Sequence, residues 1–249
     1  SWYRHAMDDA IRPAEPVLAI DIGGTKTVAA LVRGATVSDL VTIPTDRSGG
    51  PDTWLAAIAR PFAPQGGYAR VAAAVSGLVQ NGHWSALNPA TLALPPDYPL
   101  TATLGRLFSA PADAANDAQA AAWGEYRFGA GDGEDLVFLT ISTGVGGGIV
   151  VNGRPLLGLA GHFGLLHAAA EGPLEDTISG HWIAATARSH GHDVSAVGVF
   201  AAANAGEAWA TPIVDLSAQR VARLCADIQL TLDPRRIVIG GGIGLAPGF

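Results

Sequence analysis

Apolar positions along this chain recur with two periods, one of two residues and one near four. The run Val17–Ile20 ends in Asp21, passes Ile22-Gly23-Gly24-Thr25-Lys26 and resumes as the apolar stretch to Leu31. That pattern predicts a strand, a glycine turn and a second strand. Thr36–Ile43 predicts a third strand, Asp52–Phe62 a helix begun near Pro51, and Arg70–Val75 a strand running into Ser76-Gly77. Pro95, Pro96 and Pro99 punctuate a loop before the helix Leu100–Phe108. Pro111–Ala115 then leads to Asn116-Asp117, and the alanine-rich stretch Ala118–Tyr126 predicts a helix. Asp135–Ile141 reads as a buried strand, Ser142–Gly148 as a glycine turn and Ile149–Gly153 as the return strand. Leu156–Gly164 reads as a loop, and Glu175–Arg188, Val194–Asn204 and Leu216–Leu232 as helices. In the last of these, Val221, Leu224, Cys225, Ile228 and Leu232 share one face. Arg236–Ile239 is a final strand before Gly240–Gly244. Strands alternating with helices imply an α/β fold with a mainly parallel sheet. The strand–turn–strand unit occurs twice, which predicts two domains of like construction, 17–115 and 116–249, each giving one hairpin to a shared cleft.

Composition narrows the class. Of 249 residues, 49% are hydrophobic and 15% charged, enough apolar material for an ample globular core. The net charge of −7, with Lys and Arg scattered, argues against a nucleic-acid partner. The apolar runs are too short to span a membrane, and the polar opening from Ser1 to Arg12 does not read as a signal peptide. Met7 is the only methionine, so Ser1–Ala6 reads as added residues ahead of a natural start. A single cysteine, Cys225, excludes an internal disulfide and any multi-cysteine metal site. A cytoplasmic protein is the expectation.

Candidate chemistry gathers at the strand ends. Two adjacent glycines at 23 and 24 permit a positive φ and a tight reversal, and they leave backbone N–H groups open to an anion. Asp21 is well placed to reach a metal ion, and Thr25 and Lys26 add a hydroxyl and a cation. This is the chemistry of a nucleotide-phosphate site, although not a Walker A loop, because a strand follows where that motif needs a helix. The bland alternative is an ordinary hairpin. Asn116-Asp117 admits a helix N-cap or a site pair. Gly144 and Gly146–Gly148 in the second turn read as close backbone approach to a ligand, since glycine weakens a strand. Gly240–Gly244 fits a surface for a flat adenine or ribose.

Taken in order, these motifs resemble the ROK family (repressor, open reading frame, kinase), whose members adopt the two-domain actin-like ATPase (ribonuclease H-like) fold with an interdomain cleft. Asp21–Lys26 resembles its first phosphate loop, Asn116-Asp117 its catalytic pair, Ser142–Gly148 its second phosphate loop and Gly240–Gly244 its adenosine loop. Within the family, Ala86–Pro89, Asn116–Trp123 and Leu159–Gly164 are similar to the bacterial subgroup that phosphorylates N-acetylmannosamine; His162 in particular stands where most family kinases have glutamate. The resemblance implies ATP-dependent transfer to the sugar 6-hydroxyl, as in sialic acid catabolism. It implies that Asp21 holds Mg²⁺ through water and that Gly23, Gly24, Thr25, Lys26, Thr143 and Gly144 cradle phosphates. Gly241 and Gly242 would meet the adenosine. Asp117 would take the proton of the attacking hydroxyl, with Asn116 orienting the sugar, and Ser76, Gly77, Asn88, His162 and Glu175 would read it. A homodimer is usual in the family.

The departures from the family pattern matter equally. The family follows this loop with a zinc-binding histidine and a Cys-x-Cys-Gly-x-x-Gly-Cys motif, but here Leu165 stands at the histidine position and Ala168–Asp176 has no cysteine. Zinc is therefore not expected, His167 reads as ordinary, and packing of Leu165, Leu166 and Leu174 is the expected substitute. Compared with the family, the chain also lacks closing helices beyond Phe249. Two other readings stay open: another hexose kinase of the family (a glucokinase or an N-acetylglucosamine kinase), and an inactive sugar-binding or sugar-sensing protein. A sugar-sensing repressor, which the family also includes, is not the expectation, because only sixteen residues precede Val17 where a repressor carries a helix-turn-helix.

Overall fold

In the computed structural model the chain is described over residues 15–46, 48–87, 92, 94–167 and 172–249. It divides after Asp117 into two compact units. In the first, β1 (Val17–Ile22), β2 (Lys26–Arg33) and β3 (Thr36–Pro44) form an antiparallel meander. Next come α1 (Pro51–Phe62), β4 (Arg70–Val75), a ribbon of β5 (Leu78–Gln80) and β6 (His83–Ser85), α2 (Leu100–Phe108) and β7 (Ala112–Asn116). The sheet order is β3-β2-β1-β4-β7, with β1, β4 and β7 parallel. Leu18, Ile20 and Ile22 alternate into a core shared with Trp54, Leu55, Ile58 and Phe62, which recur at helical spacing on α1.

A buried aromatic group stiffens this unit. Trp84, fully buried, meets Trp54 edge-on at 6.1 Å and Tyr98 at 6.5 Å. Each ring places its polar edge: Trp54 Nε1 donates to Asp46 O (2.7 Å), Trp84 Nε1 to Ser76 O (2.9 Å) and Tyr98 OH to Asp52 Oδ1 (2.6 Å). Burial, reinforced by the Asp52 bond, pushes the Tyr98 phenol up to about 12.

The second unit opens at Ala118 in α3 (Asp117–Phe128), a helix that begins directly where β7 ends. It continues through β8 (Leu136–Ile141), β9 (Val145–Val151), β10 (Arg154–Leu156), a 3-10 turn at Phe163–Leu165, α4 (Glu175–Ile178), α5 (Gly180–Ser189), α6 (Ala196–Asn204), α7 (Thr211–Leu232), β11 (Arg236–Gly240) and α8 (Gly241–Gly244). The sheet order is β10-β9-β8-β11, with β8 and β11 parallel. Its core runs from Val137, Leu139 and Ile141 to Ile178, Ile183, Val199, Val221, Leu224 and Ile228.

Five expectations need correction. Neither Gly23 nor Gly24 takes a positive φ, so the first reversal does not use the left-handed region. Gly146–Gly148 lie inside β9 and not in a turn. The predicted helix Glu175–Arg188 is two helices, broken at Ser179, whose extended backbone lets its hydroxyl accept from Trp182 N. Leu165 and Leu166 are about half exposed, at 49% and 50%, and only Leu174 joins the core. α7 also starts earlier than the sequence pattern indicates, with Pro212 in its first turn. Among the described residues, no helix is long and apolar enough to cross a membrane.

Candidate active site

The first unit brings its candidate residues to one edge. Because β1, β4 and β7 are parallel and in register, with Ile22 opposite Val75 and Val75 opposite Asn116, their carboxyl ends are level. Open α/β sheets present ligands at such an edge. Asp21, Ser76, Asn116 and Asp117 all belong to it. Ser76 Oγ donates to Asp117 Oδ2 at 2.8 Å, and Asn116 Nδ2 donates to Gly77 O at 3.0 Å. Trp84 fixes the Ser76 carbonyl from beneath. Gly77 is required as glycine: its φ is +113°, and a Cβ there would lie 2.6 Å from Ser85 O. Two expected sugar readers, Ser76 and Gly77, are thus tied to the Asn116-Asp117 pair.

Asp21 is raised above the ordinary aspartate range. Desolvation is the larger cause, the charge of Asp117 the next, and Lys26 opposes both. Two carboxylates that repel one another suit a divalent cation, which relieves the repulsion on binding. Asp117 occupies the first turn of α3, where the helix dipole favours a negative charge.

The first glycine loop is braced by a residue that sequence reasoning missed. Thr45, buried just after β3, donates its hydroxyl to Gly23 O (2.8 Å) and its N–H to Thr25 O (3.0 Å). Its hydroxyl also lies 3.1 Å from that of Thr27, and Gly23 N–H closes the turn on Lys26 O at 3.0 Å. The signal in the sequence was slight: a threonine in phase with Val41 and Ile43, polar where the alternation of β3 calls for an apolar residue.

The second loop is built differently. Ser142, Thr143 and Gly144 form the actual turn. Gly180 N–H donates to Ser142 O (2.7 Å) and His181 N–H to Thr143 O (3.2 Å), so the first turn of α5 holds the loop's carbonyls. Glu175 Oε2 accepts from Val145 N at 2.9 Å, and a Cβ on Gly144 would lie 2.6 Å from that oxygen. The glycines that follow make room within the protein. A Cβ on Gly148 would sit 2.6 Å from Ala122 Cβ, and one on Gly146 3.2 Å from Ala118 Cβ, so α3 can lie close on β9. On the opposite face, a Cβ on Gly147 would strike Phe138 O and the Phe163 ring. The reading of Gly146–Gly148 as ligand approach is corrected accordingly.

His162 precedes the 3-10 turn, whose Gly164 packs against Val145 O and Glu175 Cβ, so His162 and Glu175 lie on neighbouring segments. Gln119 was not anticipated; it is buried and donates to Gly158 O (2.9 Å) and Ala160 O (2.7 Å), tethering the loop that leads to His162. At the third cluster, Gly241 (φ +88°) and Gly244 are needed for packing against Ile141 backbone and Ile239 side chain, while Gly242 faces open space. Asn88 lies outside the described residues.

A sequence profile of the ROK family matches residues 17–249. The chain belongs to the ROK family. The bifunctional enzyme NanE/NanK of Brucella melitensis biotype 1 is 51% identical over 255 residues, covering 100% of this chain and 49% of that protein. The chain therefore spans about half the length of that curated relative. The N-acetylmannosamine kinase of Escherichia coli (strain 55989 / EAEC) is 42% identical over 246 residues, 93% of this chain and 84% of that one. Among solved structures, the ROK hexokinase from Thermus thermophilus matches with a TM-score of 0.80 and 28% identity, over 92% of this chain and 83% of that one. The α/β architecture is the actin-like ATPase fold of ROK sugar kinases.

Proposed function

We propose that this ROK chain transfers the γ-phosphoryl group of ATP to the 6-hydroxyl of N-acetylmannosamine. The observation that carries the reaction type is the convergence of Asp21, Ser76, Asn116 and Asp117 at the level ends of β1, β4 and β7. The sugar is supported by the name of the Escherichia coli relative, N-acetylmannosamine kinase.

Phosphoryl transfer asks a protein mainly for positioning and charge neutralisation. Asp117, oriented by Ser76 Oγ, accepts the hydroxyl proton as the new O–P bond forms and the bond to ADP breaks. Asn116 holds the sugar, and His162 and Glu175, with Ser76, Gly77 and Asn88, read its hydroxyls and acetamido group. Asp21 would hold Mg²⁺; the mutually repelling carboxylates of Asp21 and Asp117 fit that cation, which would screen the phosphate charge. Gly23, Gly24, Thr25, Lys26, Thr143 and Gly144 are the residues proposed to contact phosphate. Gly242, as bare backbone in open space, suits the adenosine, with Gly241 shaping the turn. The division after Asp117 supports reading the chain as two domains that each bring one glycine loop. A homodimer is the assembly the family resemblance implies, and light scattering would read it.

A panel of hexoses and N-acetylhexosamines in an assay for ADP release tests the substrate. N-acetylmannosamine should show the highest kcat/KM. Preference for glucose or N-acetylglucosamine would replace the sugar but keep the kinase, and absence of any sugar-dependent ADP would leave a binding protein.

A further inference from the structure

The segment that carries Glu175 lacks the donors for the zinc that the family pattern places beside it. Leu165 stands in place of the histidine, the chain has one cysteine, and among the described residues no three His, Cys, Asp or Glu side chains group to hold a metal. Leucine packing does not replace the metal, since Leu165 and Leu166 are exposed. Yet α4 is a helix of four residues with Glu175 at its start, too short to hold itself in place.

Two side chains of α7 meet it. Ser217 Oγ, fully buried, donates to Ile178 O at 3.0 Å, and Arg220 Nη1 donates to Thr177 O at 2.9 Å. These are carbonyls at the end of α4, which a short helix leaves without intrahelical partners. Ser217 and Arg220 are three residues apart and so share a face of α7. The Arg220 guanidinium also lies over the Trp182 ring of α5, 5.2 Å from its centroid. One side chain thus spans the break at Ser179, joining both short helices to the long one. At the other end, Glu175 Oε2 is held by Val145 N–H and the start of α5 by Ser142 O and Thr143 O.

We infer that Arg220 is a positioning residue for Glu175 and, with Ser217, forms a metal-free clamp that orders the α4 turn. The functional half of this inference rests on the proposed role of Glu175 in sugar binding; the clamp itself does not. Removing the clamp leaves Glu175 in place chemically but lets it wander, and misplacement of a positioning group by about an ångström can cost on the order of 10²-fold.

The test compares Arg220→Met and Arg220→Lys with the parent protein. Arg220→Met should raise KM for N-acetylmannosamine by roughly 10-fold or more, with a smaller change in KM for ATP, while Arg220→Lys, which keeps a cation and a donor, recovers most of the loss. Amide hydrogen exchange at Thr177–His181 should quicken in Arg220→Met and return towards the parent rate in Arg220→Lys. Elemental analysis of the parent protein should find no stoichiometric zinc, and a zinc chelator should leave its exchange pattern unchanged. Stoichiometric zinc, or Arg220→Met with parental exchange and parental sugar KM, would overturn the inference. The exchange and metal measurements need no turnover, so they decide the clamp even if the proposed substrate is wrong. Should Arg220→Met fail to fold, the lysine variant and the metal content still decide it.

Discussion

The two glycine loops look alike as sequence and are built on opposite principles. In the first, Gly23 and Gly24 have ordinary φ values, and the turn is shaped from outside by Thr45, which holds Gly23 O and Thr25 O. In the second, the carbonyls of Ser142 and Thr143 are taken by the first N–H groups of α5, and Glu175 lies against Gly144. The glycines after it, in β9, serve the approach of α3 on one face and of Phe163 on the other. A glycine cluster is therefore an ambiguous signal. It marks a place where a Cβ has no room, and only the neighbours say whether a ligand or the protein itself takes the space.

That contrast can be broken experimentally, beginning with the largest effect. Asp117→Asn should lower turnover by roughly 10²–10⁴-fold while the protein stays folded, measured by ADP release and circular dichroism. Near-parental turnover would remove Asp117 from the mechanism and leave its bond to Ser76 as structural. Next, Gly147→Ala should destabilise the fold by about 1–3 kcal/mol through overpacking against Phe138 O and Phe163, read as a fall in melting temperature. Its counterpart Gly242→Ala, in open space, should leave melting unchanged and alter only KM for ATP. If both acted on stability alone, the adenosine assignment would lose its support.

Thr45→Val keeps the shape of the side chain but strands Gly23 O and the Thr27 hydroxyl, a cost of about 1–3 kcal/mol. It should also raise KM for ATP with little change in KM for the sugar, and Thr45→Ser should restore both. The smallest effect is in pH dependence. Asp21 binds its proton more tightly in the folded state than in the unfolded chain. Its contribution to stability is therefore present at acid pH and lost as pH rises through the raised folded value. If Asp21 holds Mg²⁺ as proposed, the cation competes with that proton, and its affinity should weaken as pH falls through the same value. Asp117→Asn removes one cause of the shift and should move this acid limb to lower pH, which titrations of Mg²⁺ binding at several pH values would detect. An unmoved limb would mean that the two carboxylates do not sense each other.

Much of the first unit was legible because a short apolar run followed by a glycine turn and a second apolar run reads as two strands, and β1 and β2 lie at Val17–Ile22 and Lys26–Arg33. Asn116-Asp117 could be placed because a short extended segment meets a run of alanines there, and β7 and α3 do join at that point. What stayed hidden depended on tertiary partners. The Thr45 brace spans residues far apart in sequence. The break at Ser179 reflects a side-chain cap outweighing a continuous helical pattern, and no local signal links Arg220 to Thr177 across 43 positions. The β9 glycines were misread because strand glycine has two causes, and the residues that decide between them, Ala118, Ala122 and Phe163, are not its sequence neighbours.

The central claim is that these side chains direct a phosphoryl group to one particular oxygen. Incubating the protein with MgATP and N-acetylmannosamine and correlating phosphorus with protons by NMR tests it directly. The account predicts a product whose phosphorus couples to the two C6 protons of N-acetylmannosamine, formed in step with ADP. Phosphate on another sugar oxygen, or ADP released with no sugar phosphate, would contradict it.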